Sequence, residues 1–228
     1  MTPPVTHGPA RAACTLAALA VELPGSTVVF RRLKLDFCCG GQQTLADACA
    51  QRGLDAHAVV AELDALERSA APYTPRDPAA LIDHLLTRYH EVHRQQLPEL
   101  LRMARRVEAV HREHPQVPAG LAALLQTIEA EMLDHMAKEE QVLFPMLRTG
   151  GHPAVVHPIT VMRHEHDEHG ARLRDLQALT DDFTPPPGAC TTWRALYAAG
   201  QQFVDDLMQH IHLENNLLFP RFESGAAH

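Results

Sequence analysis

His135 and Glu139 stand four residues apart in HMAKEEQVLFP (135–145), and His210 and Glu214 stand the same way in HIHLENNLLFP (210–220). Both stretches read His-x3-Glu-x3-Leu-Phe-Pro. On a helix, residues four apart lie one above the other on a single face. An imidazole and a carboxylate so placed are a pair of metal ligands, and two such pairs in duplicated context imply two matching half-sites of a two-metal centre. The duplication extends upstream, where His-x2-His occurs as His90/His93 and again as His166/His169. Each half therefore reads as a helix bearing a His, a turn, and a helix bearing His-x3-Glu.

One ligand element from each helix gives His90, His135 with Glu139, His166, and His210 with Glu214. Imidazole and carboxylate without thiolate suit iron or manganese, with zinc and copper open on affinity alone. A closed structural zinc site would use only four ligands, usually including cysteine. Two six-coordinate metals offer about 12 positions, and four imidazoles with two bridging carboxylates fill about eight. An oxo bridge would fill about two more, leaving roughly one open position per metal for a small external ligand. Glu131 and Asp206, one turn before His135 and His210, are candidates to hold a ligating imidazole; if not, they are exposed acids. Glu165 points about 100° away from its neighbour His166 on an ideal helix and is a candidate to line a channel. His93 and His169 are expected at the surface or just outside the ligands. His84, His111, His114, His152, His157, His164 and His212 are expected to face solvent.

Two hairpins of this kind pack into an all-α four-helix bundle, which holds metals between facing helices. Its first helix starts at Asp77 as N-cap with Pro78 behind it and runs to about 112, with a kink or break at Pro98. Pro118 is expected to open the second helix, which ends near 148. The third spans about 158–180 and the fourth about 191–222. Pro145 and Pro220 are expected to bend or end their helices beyond the ligands, with Leu-Phe-Pro serving packing and termination. Ahead of the bundle (78–224) stand an N-terminus expected to be disordered (1–11), a small helical domain (12–69) and a proline-rich linker (70–77). Within the small domain, helices are expected at about 13–21, at about 26–33 with Ser26 as N-cap, and in a C-terminal region split at Gly53, with Thr44 and Asp55 as N-caps.

The 228 residues suffice for one or two domains with a sizeable core. A formal net charge of −8 gives a nucleic-acid partner no electrostatic support. No window approaches an 18-residue apolar run, so no membrane partner is expected. The five cysteines form neither an even disulfide framework nor a CxxC pair, and the N-terminus lacks the pattern of a secretory leader. The expectation is a soluble cytoplasmic protein with reduced thiols.

LDFCCGG (35–41) in a short helical domain, followed by RYHEVHRQQLPEL, HMAKEEQVLFP, EHDEHG, TPPPGACTTW and HIHLENNLLFP, closely resembles the Repair of Iron Centres family, the YtfE/ScdA group. The resemblance covers about residues 13–222. It implies a hemerythrin-like bundle with a non-haem di-iron centre, preceded by a small double-Cys domain. The family's ligands fall on His90, His135, Glu139, His166, His210 and Glu214, the set reached from spacing. The implied role is repair of iron-sulfur clusters damaged by oxidative or nitrosative stress, by supplying iron to the damaged proteins. A nitric-oxide-related activity at the di-iron site is a further implication, and the resemblance leaves open whether the protein is an enzyme.

Cys38 and Cys39 precede Gly40 and Gly41 in a loop between helices. Adjacent cysteines do not easily form an unstrained disulfide with each other. They read as a redox-active thiol, as thiolate ligands for iron in transfer, as a client contact, or as two small buried side chains. Arg31, Arg32 and Lys34 would lower a thiol pKa if they folded nearby. The competing function is a hemerythrin-like binder, reducer or sensor of nitric oxide or dioxygen. A ferritin-like oxidase would need Glu-x-x-His on two helices, and the one match, Glu108/His111, lies outside the repeats. Both a monomer and a homodimer fit the sequence.

Overall fold

The computed structural model describes residues 9–66, 77–150 and 153–223, all helical or loop. Most of the expected disordered leader and of the linker lies outside these residues. At the end of the stretch expected to be disordered, Pro9–Ala12 form α1, where the buried Arg11 meets Asp64 at 2.7 Å. The described chain divides into two compact units.

The smaller unit holds α1, α2 (Leu16–Glu22), α3 (Ser26–Arg32), α4 (Leu45–Arg52) and α5 (Ala56–Leu66), together with residues Ile211–Arg221. Local chemistry sets most boundaries. The Thr15 and Thr44 hydroxyls accept the backbone N–H of Ala18 and Asp47, each capping a helix start. Gly53 ends α4 in the left-handed conformation. Ser26 is not a cap: Gly25, at φ 89°, takes that position, and the buried Ser26 hydroxyl donates to the Leu19 carbonyl instead. Leu16, Leu19, Phe30, Phe37, Leu45 and Leu63 form the core. Each such side chain contributes about 1.5–3 kcal/mol on burial.

The larger unit runs from Arg76 to His210 and includes Phe222 onward. Its first long helix is α6 (Pro78–Leu85), a wide π-helical turn at Leu86–His90, and α7 (Glu91–Val110). Asp77 caps it as expected, accepting from Ala80. Pro98 does not break α7, which runs through it. It sits on the exposed face, where water can satisfy the carbonyl that proline leaves without a donor. The second helix is α8 (Leu121–Lys138), a π turn at Glu139–Leu143, and α9 (Phe144–Arg148). It starts at Gly120 (φ 91°), not at Pro118. The third is α10 (Val156–Leu179), and the fourth is α11 (Thr191–His212), a π turn at Leu213–Leu218, and α12 (Pro220–Glu223), its stretch Ile211–Arg221 belonging to the smaller unit.

Pro145 and Pro220 do not end their helices. Each follows a widened turn in which the preceding Phe N–H reaches five residues back, Phe144 to the Glu139 carbonyl and Phe219 to the Glu214 carbonyl. A widened turn relieves the clash of the proline ring with the carbonyl four residues earlier. The Leu-Phe-Pro of each repeat thus encodes a π turn that begins at or beside the ligand carboxylate. The connection from α10 to α11 contains three consecutive left-handed residues, Asp181, Asp182 and Phe183. Gly200 makes room for this loop, since a Cβ there would lie 2.5 Å from the Phe183 ring. No described helix is long and apolar enough to cross a membrane.

Candidate metal centre

The π turn at Leu86–His90 presents His90, α8 presents His135, the turn after α8 presents Glu139, α10 presents His166, and α11 presents His210. The last helix continues without interruption past His210 and carries Glu214 one turn later. All six are at most 1 % exposed. Their donor atoms converge into two sets, His90/His210 and His135/His166, each completed by both Glu139 and Glu214, with the donors of a set within 4.8 Å of one another.

The imidazoles pair across the hairpins, not within them. His90 Nε2 lies 3.2 Å from His210 Nε2, and His166 Nε2 lies 3.1 Å from His135 Nε2. Each half-site therefore takes one His from each copy of the duplicated hairpin. The repeated carboxylates belong to both half-sites. Glu139 Oε2 stands 3.4 Å from His90 Nε2 and 3.5 Å from His135 Nε2.

Carboxylates outside the cluster fix the imidazole tautomers. His90 Nδ1 lies 2.7 Å from Glu140 Oε1, and His135 Nδ1 lies 2.8 Å from Glu165 Oε2. An ionised carboxylate only accepts, so Nδ1 carries the proton and Nε2 presents a bare lone pair to the centre. Both carboxylates are held ionised. Burial raises the Glu140 carboxyl, but hydrogen bonds from His90 and Arg94 outweigh it and set the pKa below the usual value. The hydrogen bond from His135, opposed by burial and helped by Lys138, brings Glu165 down to about 2. Glu165 thus reaches across to the neighbouring helix, doing what its direction away from His166 did not suggest. Glu140 escaped the sequence reading; its signal was an acid beside a ligand acid, with nothing local to say that it faces His90.

Glu131 and Asp206 do not touch the imidazoles one turn ahead of them. Glu131 takes Arg172 in a two-pronged pair at 2.8 and 3.1 Å. Asp206 accepts from Arg88 at 2.6 Å, Gln96 at 2.9 Å and Gln202 at 3.1 Å. Both residues tie helices together at the depth of the site. His93 and His169, expected at the surface or just outside the ligands, are buried against them. The His93 ring stacks on His210 at 5.4 Å and the His169 ring meets His135 edge-on at 4.8 Å. Burial, then the neighbouring imidazoles, lowers their pKa values to about 3 and about 2, so both are neutral.

The arrangement calls for positive charge. Glu139 is fully buried, and neither of its oxygens has a hydrogen-bond donor. One of them faces the lone-pair nitrogens of His90 and His135. A carboxylate facing bare lone pairs in a dry interior costs several kcal/mol unless a cation stands between them. Four imidazoles and two carboxylates fit two iron ions. Bound there, the irons would supply redox chemistry and open positions for a small ligand.

In the smaller unit, the Asp36 carboxylate accepts the backbone N–H of Cys38 (3.2 Å) and Cys39 (3.0 Å), and the Cys38 thiol donates to the same oxygen at 3.4 Å. The two sulfurs are 3.6 Å apart. The Cys38 thiol is not activated as Arg31, Arg32 and Lys34 had suggested. The hydrogen bond with Cys39, burial and the Asp36 charge instead push the Cys38 thiol well above its ordinary value. The Asn215 side-chain amide donates to the Cys38 carbonyl and that of Asn216 to the Phe37 carbonyl. His212, expected to face solvent, is buried against the Phe37 ring at 5.4 Å. Burial, with Arg31, lowers its pKa to about 4.

Residues 81–222 match the hemerythrin HHE cation binding domain, and residues 12–67 match a domain of unknown function that takes its name from the ScdA N-terminus. Iron-sulfur cluster repair protein YtfE of Dickeya chrysanthemi is 48% identical over 216 residues, covering 92% of this chain and 97% of that protein. The protein of that name from Yersinia pseudotuberculosis is 50% identical over 214 residues, with the same coverage. That from Citrobacter koseri is 47% identical over 212 residues, covering 92% of this chain and 96% of its own length. With both domains matched in order and about half of all positions shared, the chain belongs to the family of the iron-sulfur cluster repair protein YtfE, with a hemerythrin cation-binding domain behind a double-cysteine domain.

Proposed function

We propose that this chain repairs damaged iron-sulfur clusters from a di-iron centre held by His90 and His210 on one iron, His135 and His166 on the other, and Glu139 and Glu214 across both. The observation that carries the metal assignment is the fully buried Glu139 carboxylate, without a hydrogen-bond donor and within 3.5 Å of imidazole nitrogens from both half-sites. The repair role is supported by the names of the relatives that match almost the whole chain. Its clients are damaged iron-sulfur proteins, and its setting is the cytoplasm under oxidative or nitrosative stress.

The chain's own residues set what the centre can do. Glu140 and Glu165 keep His90 and His135 in the ligating tautomer. The neutral His93 and His169 line the ligands without adding charge. Both carboxylate-imidazole pairs end at a surface cation, Arg94 or Lys138. These cations balance the charge of the two carboxylates, so each stays ionised and keeps accepting from its imidazole. Cys38 and Cys39 are the candidates for handling iron in transfer.

The test is to load the protein with iron-57, incubate it with an enzyme whose cluster has been damaged, and follow both by Mössbauer spectroscopy. Iron should leave the centre as client activity returns. Recovery with the iron label retained would overturn donation. A second reading, binding or reduction of nitric oxide or dioxygen, follows from the open coordination positions. It predicts a ligand-dependent spectrum with no loss of iron.

A further inference from the structure

We propose that Asp36, Cys38 and Cys39 form a second, mononuclear metal site that takes one thiophilic divalent cation and leaves its fourth position open. The three side chains each bring one donor atom within 4.8 Å of the others. The two spacings from Cys38 are those of ligands around a tetrahedral ion. Metal–sulfur bonds of about 2.3 Å and metal–oxygen bonds of about 2.1 Å put two sulfurs roughly 3.8 Å apart and a sulfur and oxygen roughly 3.6 Å apart. The sulfurs here are 3.6 Å apart, and Cys38 Sγ is 3.4 Å from Asp36 Oδ1.

The loop is built to hold this geometry. Two backbone N–H groups fix the Asp36 carboxylate. Gly40 leaves space beside its second oxygen, where a Cβ would stand 3.2 Å away. Gly41 lets the chain pass 2.5 Å from the Phe37 carbonyl and 2.9 Å from the Ala17 methyl, measured from where its Cβ would be. Asn215 and Asn216 hold the carbonyls of Cys38 and Phe37. A thiol kept protonated by its surroundings is a poor nucleophile, which disfavours a redox thiol. A cation reverses this: as each metal–sulfur bond forms, the thiol proton passes to solvent and no electrons move. Three donors with an open fourth position suit a site that passes its cation on. That transfer role rests on the repair reading, whereas the metal site does not.

The test adds cobalt(II) to the full-length protein with its di-iron centre loaded and follows the thiolate-to-cobalt charge-transfer band by difference spectroscopy. The band should saturate at one cobalt per chain, with the iron content unchanged. The double variant Cys38→Ser/Cys39→Ser should lose it. Asp36→Asn keeps an oxygen for the two backbone N–H groups, so the loop holds, and should weaken cobalt binding at least about tenfold. No thiolate band, a band that survives the double variant, or unchanged affinity in Asp36→Asn would each overturn the site. Repair failing while this band appears would remove the transfer role and leave the site standing.

Discussion

The stretches His135–Pro145 and His210–Pro220 share five residues at identical spacing, and in both the His and Glu turn into the same buried cluster. They differ in the positions between. After Glu139 comes Glu140, which holds the His90 imidazole; after Glu214 comes Asn215, which holds the Cys38 carbonyl. Lys138 neutralises Glu165, while its counterpart Leu213 is buried and apolar. The first copy spends its spare positions on the electrostatics of the centre, and the second spends them on the double-Cys loop. The ligand positions tolerate no such drift, because only imidazole and carboxylate can supply those lone pairs at that depth. Duplication thus fixes the metal face and frees the adjoining face for another task.

The most severe way to break this comparison is to remove a shared ligand. Glu139→Gln and Glu214→Gln should each abolish the two-iron centre, since both carboxylates belong to both half-sites. Metal analysis that finds one copy dispensable would show the halves to be unequal. The next largest effects should separate the copies. Glu140→Gln should lower iron affinity by about 10–100-fold through His90 while leaving thiol alkylation rates unchanged. Asn215→Ala should retain both irons and speed alkylation of Cys38. Similar effects of the two changes on both readouts would contradict the division of labour.

Smaller effects are expected one turn upstream, where Glu131 and Asp206 correspond in sequence. Asp206→Asn loses charge-assisted bonds to a buried carboxylate and should cost about 1–3 kcal/mol in thermal unfolding. Glu131→Gln breaks a partly exposed pair and should cost below about 1 kcal/mol. Iron content should be unchanged in both, because neither side chain reaches an imidazole.

The six candidate ligands, which the fold brings together, stood out because repetition singled them out from a chain with 16 histidines. Caps such as Thr44 and Asp77 were legible because a side chain and a backbone N–H three residues on decide them locally. The wide turns were not. Two of the π turns stand two residues before a proline, but the turn at His90 has none at that position, Pro98 lying well beyond it, so tertiary demand at the site also decides. The exchange of histidines between hairpins and the Glu165–His135 contact depend on which helices lie side by side. Spacing along one helix carries no such information. His212 looked like a surface histidine because its partner, the Phe37 ring, lies far away in the sequence.

The central claim, that the two repeats build one shared centre, is tested most directly by Mössbauer spectroscopy in an applied field on iron-57 protein. Two irons per chain, coupled to a diamagnetic ground state in the oxidised protein, with the coupling lost in both Glu139→Gln and Glu214→Gln, is the predicted result. Two uncoupled irons in the native protein, or coupling that survives either substitution, would contradict it.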